Sequence, residues 1–323
     1  RRVEGDIHRY TYRDLARRSR QLANTLDGLG LQPGDRVASL AWNGYRHMEM
    51  YFGVSGSGRV LHTVNPRLHP DQVAWIINHA EDRVMCFDLT FLPIIQAVHA
   101  KCPTVRQWVA LCDADRLPAD SGVPGLVSYE AWIAGQSDQY QWPEFDENTA
   151  SSMCYTSGTT GNPKGVVHSH LSVYASVKGN IDEMKYGEAD VLSGWLPLFH
   201  CAQHALVQTA LAAGACTVLT RQFVPAEVGQ LVIKEGITIF VGLPLMYAAV
   251  LADPGFAPTT IRHCIYAMAP IPKPLIAQIA HRDRPRQRHR LRGPRSHQCP
   301  RLGRKGPRQR LADAAGRAGD QHG

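Results

Sequence analysis

Between Thr156 and Gly165 the chain runs Thr-Ser-Gly-Thr-Thr-Gly-Asn-Pro-Lys-Gly. Four hydroxyl side chains and two glycines precede a single lysine. A stretch this polar and flexible suits a loop that wraps a polyanion. Glycine lets backbone N–H groups approach phosphate oxygens closely, hydroxyls add donors, and Lys164 supplies the counter-charge. The flanks, Ala150 to Tyr155 and Gly165 to His168, are strand-like. This is not a Walker A loop, which needs Gly, four residues, then Gly-Lys-Ser/Thr. Pro163 also disfavours helical geometry at Asn162, so no helix starts inside the loop. A merely flexible hairpin is the bland alternative, but it needs only two to five turn residues.

The elements that must hold this loop alternate between helical and extended patterns. Thr11 with Asp14 makes a capping-box type of helix start, and Leu15, Leu22, Leu26 and Leu29 fall near one face before Gly28 and Gly30 stop it. Strands are expected at 37–42, 60–64, 84–87 and 105–111. Asn43 is expected to cap a helix through Phe52, Pro70 opens another, and 92–98 is a third. Residues 113–148, richer in Pro, Asp, Gly and Gln, read as a connecting region. Strands then recur at 191–195, 215–219, 237–242 and 262–267, with helices near 170–185, 200–212, 225–235 and 244–252. Ser169 is a helix cap. The pattern predicts an α/β fold of two βα-repeat subdomains, with mostly parallel sheets flanked by helices. The expected boundaries are 1–148, then 149–280 with the phosphate loop, then a tail over 281–323.

The chain has 323 residues, 44% of them hydrophobic, enough for a large core. No run of eighteen apolar residues is present, so no transmembrane helix is expected. Residues 1–12 carry no signal-peptide pattern, and the first residue is Arg1, so an upstream start is expected. The eight cysteines stand singly, at 86, 102, 112, 154, 201, 216, 264 and 299. That usage suits reduced thiols in the cytoplasm. The net charge of +7 is misleading, because residues 281–323 alone carry +10 and the remainder about −3. The globular part therefore has no nucleic-acid footprint.

The 156–165 run resembles the signature of the adenylate-forming superfamily, which holds acyl-CoA synthetases, peptide-synthetase adenylation domains and firefly-type luciferases. Tyr12 to Val37 is similar to the start of the same superfamily. Val60-Leu61-His62-Thr63-Val64-Asn65-Pro66, Ile77-Asn78-His79-Ala80-Glu81-Asp82 and Leu196-Pro197-Leu198-Phe199-His200 most resemble its medium- and long-chain fatty acyl-CoA synthetases. The likeness covers roughly 5–280. It implies that Thr156, Ser157, Gly158, Thr159, Thr160, Gly161 and Lys164 bind the ATP phosphates, with Mg2+ screening them. It implies that His200 lies by the acyl and pantetheine channel in a catalytic and substrate-binding role. Gly242 would line an acyl tunnel. Ala267 and Ala269 would lie beside adenine, in a segment usually richer in glycine. The implied reaction joins ATP and a carboxylic acid, preferably a fatty acid, into an acyl-adenylate that CoA converts to a thioester. A homodimer is left open.

After Ile279 the pattern stops. Residues 281–323 hold three large aliphatic side chains, Leu291, Leu302 and Leu311, and no aromatic. Burying three leucines returns about 5–9 kcal/mol, against tens for ordering the segment, so the tail is expected to be disordered. Its Arg/Pro/Gly/His-rich composition resembles a GC-rich gene translated in a shifted frame. The family's Tyr-Gly-x-Thr-Glu motif, its ribose-binding Asp, hinge and mobile C-terminal domain with a catalytic lysine are not found. The alternative to an active ligase is thus an incompetent fragment that keeps partial ATP and acyl binding. Two weaker readings stand beside these. His200 and His204, spaced i, i+4 around Cys201, match a zinc spacing but lack a third ligand, so no metal site is expected. The Arg-rich tail is a polycation that could hold nucleic acid or anionic lipid without having evolved to do so.

Overall fold

The computed structural model describes residues 4–156, 162–253, 256, 258–266 and 269–282. The tail expected to be disordered lies almost wholly outside them. Along the chain come α1 (Tyr12–Gly28), β1 (Arg36–Leu40), α2 (Tyr45–Gly56), β2 (Val60–Thr63), α3 (Pro70–Ala80), β3 (Asp82–Phe87), α4 (Leu92–Val98) and β4 (Gln107–Ala110). They are followed by β5 (Val127–Ser128), α5 (Tyr129–Ile133), β6 (Ala150–Thr156), β7 (Lys164–Ser169) and α6 (His170–Met184). Then come β8 (Val191–Gly194), α7 (Cys201–Ala212), β9 (Cys216–Leu219), α8 (Pro225–Lys234), β10 (Ile239–Gly242), α9 (Pro244–Leu251), β11 (His263–Tyr266) and α10 (Lys273–Arg282).

Two sheets result. The first has seven strands in the order β5-β4-β3-β1-β2-β6-β7, and the second four in the order β11-β10-β8-β9. Every pairing is parallel except β6 with β7. Parallel strands need crossovers, and the amphipathic helices supply them while covering the faces. Ile76, Ile77, Ile95 and Phe87 fill one core layer, and Leu22, Leu26, Met50 and Tyr129 fill another. Leu192, Trp195, Phe240 and Val241 belong to the core of the second sheet.

Local chemistry fixes the helix ends as expected at several points. The Thr11 side chain accepts from the Asp14 N–H while Asp14 accepts from the Thr11 N–H at 2.9 Å. Ser169 caps α6 by accepting from the Ser172 N–H. Asn43 does not cap α2, whose N-cap is Gly44. Its amide turns instead toward the second sheet, where four backbone groups need partners. Residues 113–148 are more than a connection, because β5 and α5 lie there. Val127–Ser128 is too short to show alternation, and it forms only by pairing beside β4.

The boundary expected at 148–149 places the phosphate-loop hairpin with the second subdomain. Strand pairing places it with the first: β6 lies beside β2, with Thr63 opposite Cys154. β7 is therefore a sheet edge, and Val166 and Val167 are exposed on it, as are Leu171 and Tyr174 on α6. Such an uncovered apolar edge favours association with other chains.

A charge network joins α1, α2 and α5. Arg18 donates to Glu49 at 2.6 Å and to both Glu130 oxygens at 2.9 Å. Arg46 donates to Glu130 at 2.7 Å, to Glu4 at 2.7 Å and to the Leu111 carbonyl at 3.0 Å. Burial pushes the Glu130 carboxyl up, but Arg18 and Arg46 outweigh it and hold it at about 2. A carboxylate depressed this way stabilises the fold above its unfolded pKa. That contribution fades as pH falls from about 4.5 through about 2. Glu130→Gln is expected to cost about 3 kcal/mol at pH 7, since it leaves two guanidinium groups short of their counter-charge. The loss should shrink toward pH 2. Urea midpoints that stay equally displaced at pH 7 and pH 3 would count against this assignment.

Candidate functional site

The hairpin that carries the hydroxyl-rich loop is closed by ordinary antiparallel pairing. Thr156 lies opposite Lys164, Tyr155 opposite Gly165 and Cys154 opposite Val166. Thr156 and Lys164 are both exposed at its mouth, and the Thr156 hydroxyl donates to the Lys164 carbonyl at 3.4 Å. Ser157, Gly158, Thr159, Thr160 and Gly161 lie outside the described residues, as does Ala267. What is fixed is the root of the loop: two strands that bring a threonine and a lysine side by side, nine positions apart in sequence when both ends are counted.

The root is buttressed by rings. Tyr155 and His79 share a hydrogen bond at 2.7 Å between the phenol and Nδ1, and Trp75 stacks on His79 at 4.6 Å. Beneath Tyr155 the fully buried His62 and Asp82 pair at 2.7 Å. Burial drives the Asp82 carboxyl upward against the pull of His62. Gly165 permits this packing, since a Cβ there would stand 3.3 Å from the Tyr155 ring.

His200 is the N-cap of α7, and its side chain accepts from the Ala202 N–H at 3.3 Å. This cap leaves the ring exposed. The approach to it is tied to the first sheet. Tyr51 donates to the Leu198 carbonyl at 2.6 Å and Thr63 to the Phe199 carbonyl at 2.8 Å. Because Thr63 faces Cys154 across the sheet, His200 starts its helix close to the strand that feeds the loop. Interaction with the Cys201 thiolate raises the pKa of His200, and His200 lowers that of Cys201, the two standing 3.8 Å apart.

Gly242 and Ala269 lie in the region of the second sheet. Gly242 ends β10 opposite Tyr266, and Ala269 is exposed just beyond β11. A Cβ on Gly242 would lie 3.1 Å from Phe240 and 3.3 Å from Tyr247. The space above this glycine is thus bounded by the protein's own rings. No hydrogen bond among the described residues links His200 to Lys164 or Gly242 directly. Lys164 opens the edge strand β7 of the first sheet, whereas Gly242 ends a strand of the second sheet and His200 follows another.

Asn43, Tyr51 and Thr63 were missed as site-forming residues. Asn43 donates to the carbonyls of Gly194 at 3.1 Å, Leu196 at 2.8 Å and Thr220 at 3.0 Å, and accepts from the Leu198 N–H at 2.7 Å. No short-range signal marks a residue whose partners stand about 150 positions away. His204 follows one turn after His200 on α7. It is buried, stacks on Tyr51 at 3.9 Å, and among the described residues no group of three or more His, Cys, Asp or Glu gathers to hold an ion.

Solved structures define the class. The N-terminal domain of FACL13 from Mycobacterium tuberculosis superposes with a TM-score of 0.77 at 27% identity, covering 85% of this chain and 67% of that one. The anthranilate CoA ligase AuaEII gives 0.79 at 24% identity, a likeness of fold, over 85% of this chain and 53% of that one. The architecture is that of the N-terminal domain of adenylate-forming enzymes.

Residues 2–286 match the family described as AMP-binding enzyme, and the chain belongs to that family. It is 41% identical over 253 residues to a medium-chain-fatty-acid–CoA ligase of Ectopseudomonas oleovorans, covering 77% of this chain and 46% of the relative. It is 39% identical to a 3-methylmercaptopropionyl-CoA ligase of Ruegeria pomeroyi, over 87% and 53%, and 37% identical to a long-chain-fatty-acid–CoA ligase of Thermus thermophilus, over 85% and 50%. The chain spans about half the length of these curated relatives. No helix among the described residues is long and apolar enough to cross a membrane.

Proposed function

We propose that this chain is the nucleotide- and acyl-gripping part of an ATP-dependent fatty acid–CoA ligase. The observation that carries the reading is the hairpin root, where Thr156 and Lys164 stand paired and exposed at the ends of a Thr/Ser/Gly run. The triphosphate of ATP enters this loop, with Lys164 and the donors of 156–161 opposing the charge that grows on departing pyrophosphate. His200 sits on the acyl side, and Gly242, Ala267 and Ala269 line the far wall and the adenine edge. The relatives' names support a fatty acid as the carboxylate and CoA as the thiol. Mg2+ arrives bound to the nucleotide. The isolated cysteines suit a reducing cytoplasm.

A second reading is ATP and acyl binding without turnover. Calorimetry with ATP tests the shared core of both. Lys164→Ala is expected to weaken ATP binding at least about ten-fold, the loss of one charge-assisted contact. Equal affinity in the wild type and the variant would remove Lys164 from the site. Pyrophosphate release on adding fatty acid then separates the readings, since acyl-dependent turnover belongs to the first alone.

A further inference from the structure

Seven cysteines are described, and their surroundings differ sharply. Cys86, Cys102, Cys112 and Cys264 are buried, Cys154 is half-buried, and Cys201 and Cys216 are exposed. Burial raises the thiols of Cys102 and Cys112 to about 11 and suppresses their reactivity. The two exposed thiols form a natural contrast. Cys216 opens strand β9, and burial of its sulfur together with the charge of Glu235 raises its pKa. Cys201 is the first residue of a twelve-residue helix, where the backbone N–H groups and the dipole favour negative charge. Its Sγ lies 3.8 Å from Nδ1 of His200. The imidazole lowers the Cys201 pKa, whereas burial raises those of Cys86, Cys102, Cys112, Cys154 and Cys216.

A second thiol is linked to it by a chain of contacts. Cys154 is the sheet partner of Thr63, and Thr63 donates to the carbonyl of Phe199, two residues before Cys201. Tyr51, which holds the Leu198 carbonyl, senses the charge of both sulfurs. Burial, and then the charge on Cys201, raise the pKa of Cys154. The two thiols are thereby differentiated: one exposed with its pKa lowered, the other half-covered with its pKa raised.

We propose that Cys201 and Cys154 form a redox-sensitive pair in which a hydroperoxide oxidises Cys201 and Cys154 captures the product as a disulfide. The Cys201 thiolate attacks the peroxide O–O bond. An S–O bond forms, the O–O bond breaks, and the leaving alkoxide or hydroxide takes up a proton to leave as alcohol or water. The Cys154 sulfur, giving up its proton, attacks the sulfenic sulfur, and a second water departs as the S–S bond closes. Two electrons pass from the two thiols to one peroxide. The bond ties β6, two residues before Thr156, to the start of α7, one residue after His200. That it closes the site to nucleotide rests on the proposed function; that it forms does not.

Hydrogen peroxide at a few equivalents, followed by mass spectrometry of non-reduced peptides, tests the pair in the full chain. The expected product is about 2 Da lighter, links Cys154 to Cys201, and leaves Cys216 free to be alkylated. Cys201→Ser should abolish the link. Cys154→Ser should leave a dimedone-reactive sulfenic acid on Cys201. In the untreated protein, iodoacetamide at pH 7 should label Cys201 at least about ten-fold faster than Cys216, and His200→Ala should erase most of that difference. Oxidation spread evenly over Cys201 and Cys216, or a Cys201 sulfenic acid that never joins Cys154, overturns the proposal. A link that forms while ATP affinity stays unchanged would sustain the pair and count against the nucleotide reading instead.

Discussion

Asn43→Ala is expected to lower the unfolding free energy by about 4 kcal/mol, seen as a reduced urea midpoint at unchanged slope. The side chain is 3% exposed and supplies both donor and acceptor to backbone atoms of the second sheet. Alanine would leave the Leu198 N–H and the Leu196 carbonyl without these partners in a place that water reaches poorly. Each stranded buried group costs about 1–3 kcal/mol, which exceeds any gain from the smaller side chain. Asn43→Asp separates the two halves of the role. It keeps an acceptor for Leu198 but turns a second oxygen toward the carbonyls of Gly194 and Leu196, so it should be no better than alanine. The same segment ends at His200, the residue proposed to sit on the acyl side. A midpoint within error of wild type for both variants would show that the clasp is incidental.

This clasp marks where the sequence stops being legible. Patterns with short periods announced the helices and strands, because capping and alternation act over three or four residues. Thr11 and Asp14, Pro70, and Ser169 all behave as their neighbours predict. The Thr/Gly run was legible for a different reason, since its composition cannot serve a core. Asn43 fails as a local prediction because its tertiary partners outbid the cap. Gly44, with extended geometry at the N-cap position, starts α2 without a side-chain bond. Strand β5 was invisible because two residues cannot alternate. The membership of β6 and β7 was misjudged because composition changes at 149, whereas pairing, which decides sheet membership, leaves no mark in composition. Gly242 looked like room for a ligand, and the structure shows Phe240 and Tyr247 bordering that room. The His200 ring accepts from the Ala202 N–H and still faces outward.

His204→Phe is expected to become more stable relative to wild type, by about 2 kcal/mol, as pH falls from 7 to 5. His204 is buried against Tyr51, and its Nε2 has no hydrogen-bond partner. Burial first, and then the nearby His168 and His47, lower its pKa to about 3. A histidine held neutral in the folded state stabilises it above the unfolded pKa of about 6.5 and loses that contribution as pH drops toward 3, because only the unfolded chain takes up the proton. Phenylalanine keeps the ring on Tyr51 and removes the titration. Whole-protein stability is the wrong readout, because other buried groups act oppositely. Burial raises the Glu49 and Asp88 carboxyls to about 7, so their protonation between pH 7 and 5 favours the folded state. His47, lowered to about 4 by burial, adds to the histidine side. These contributions oppose one another, and only the difference between variant and wild type isolates His204. Parallel curves for the two proteins from pH 7 to 5 would mean that this imidazole is protonated in the folded state, and the stacked rings of α2 and α7 would then need another account.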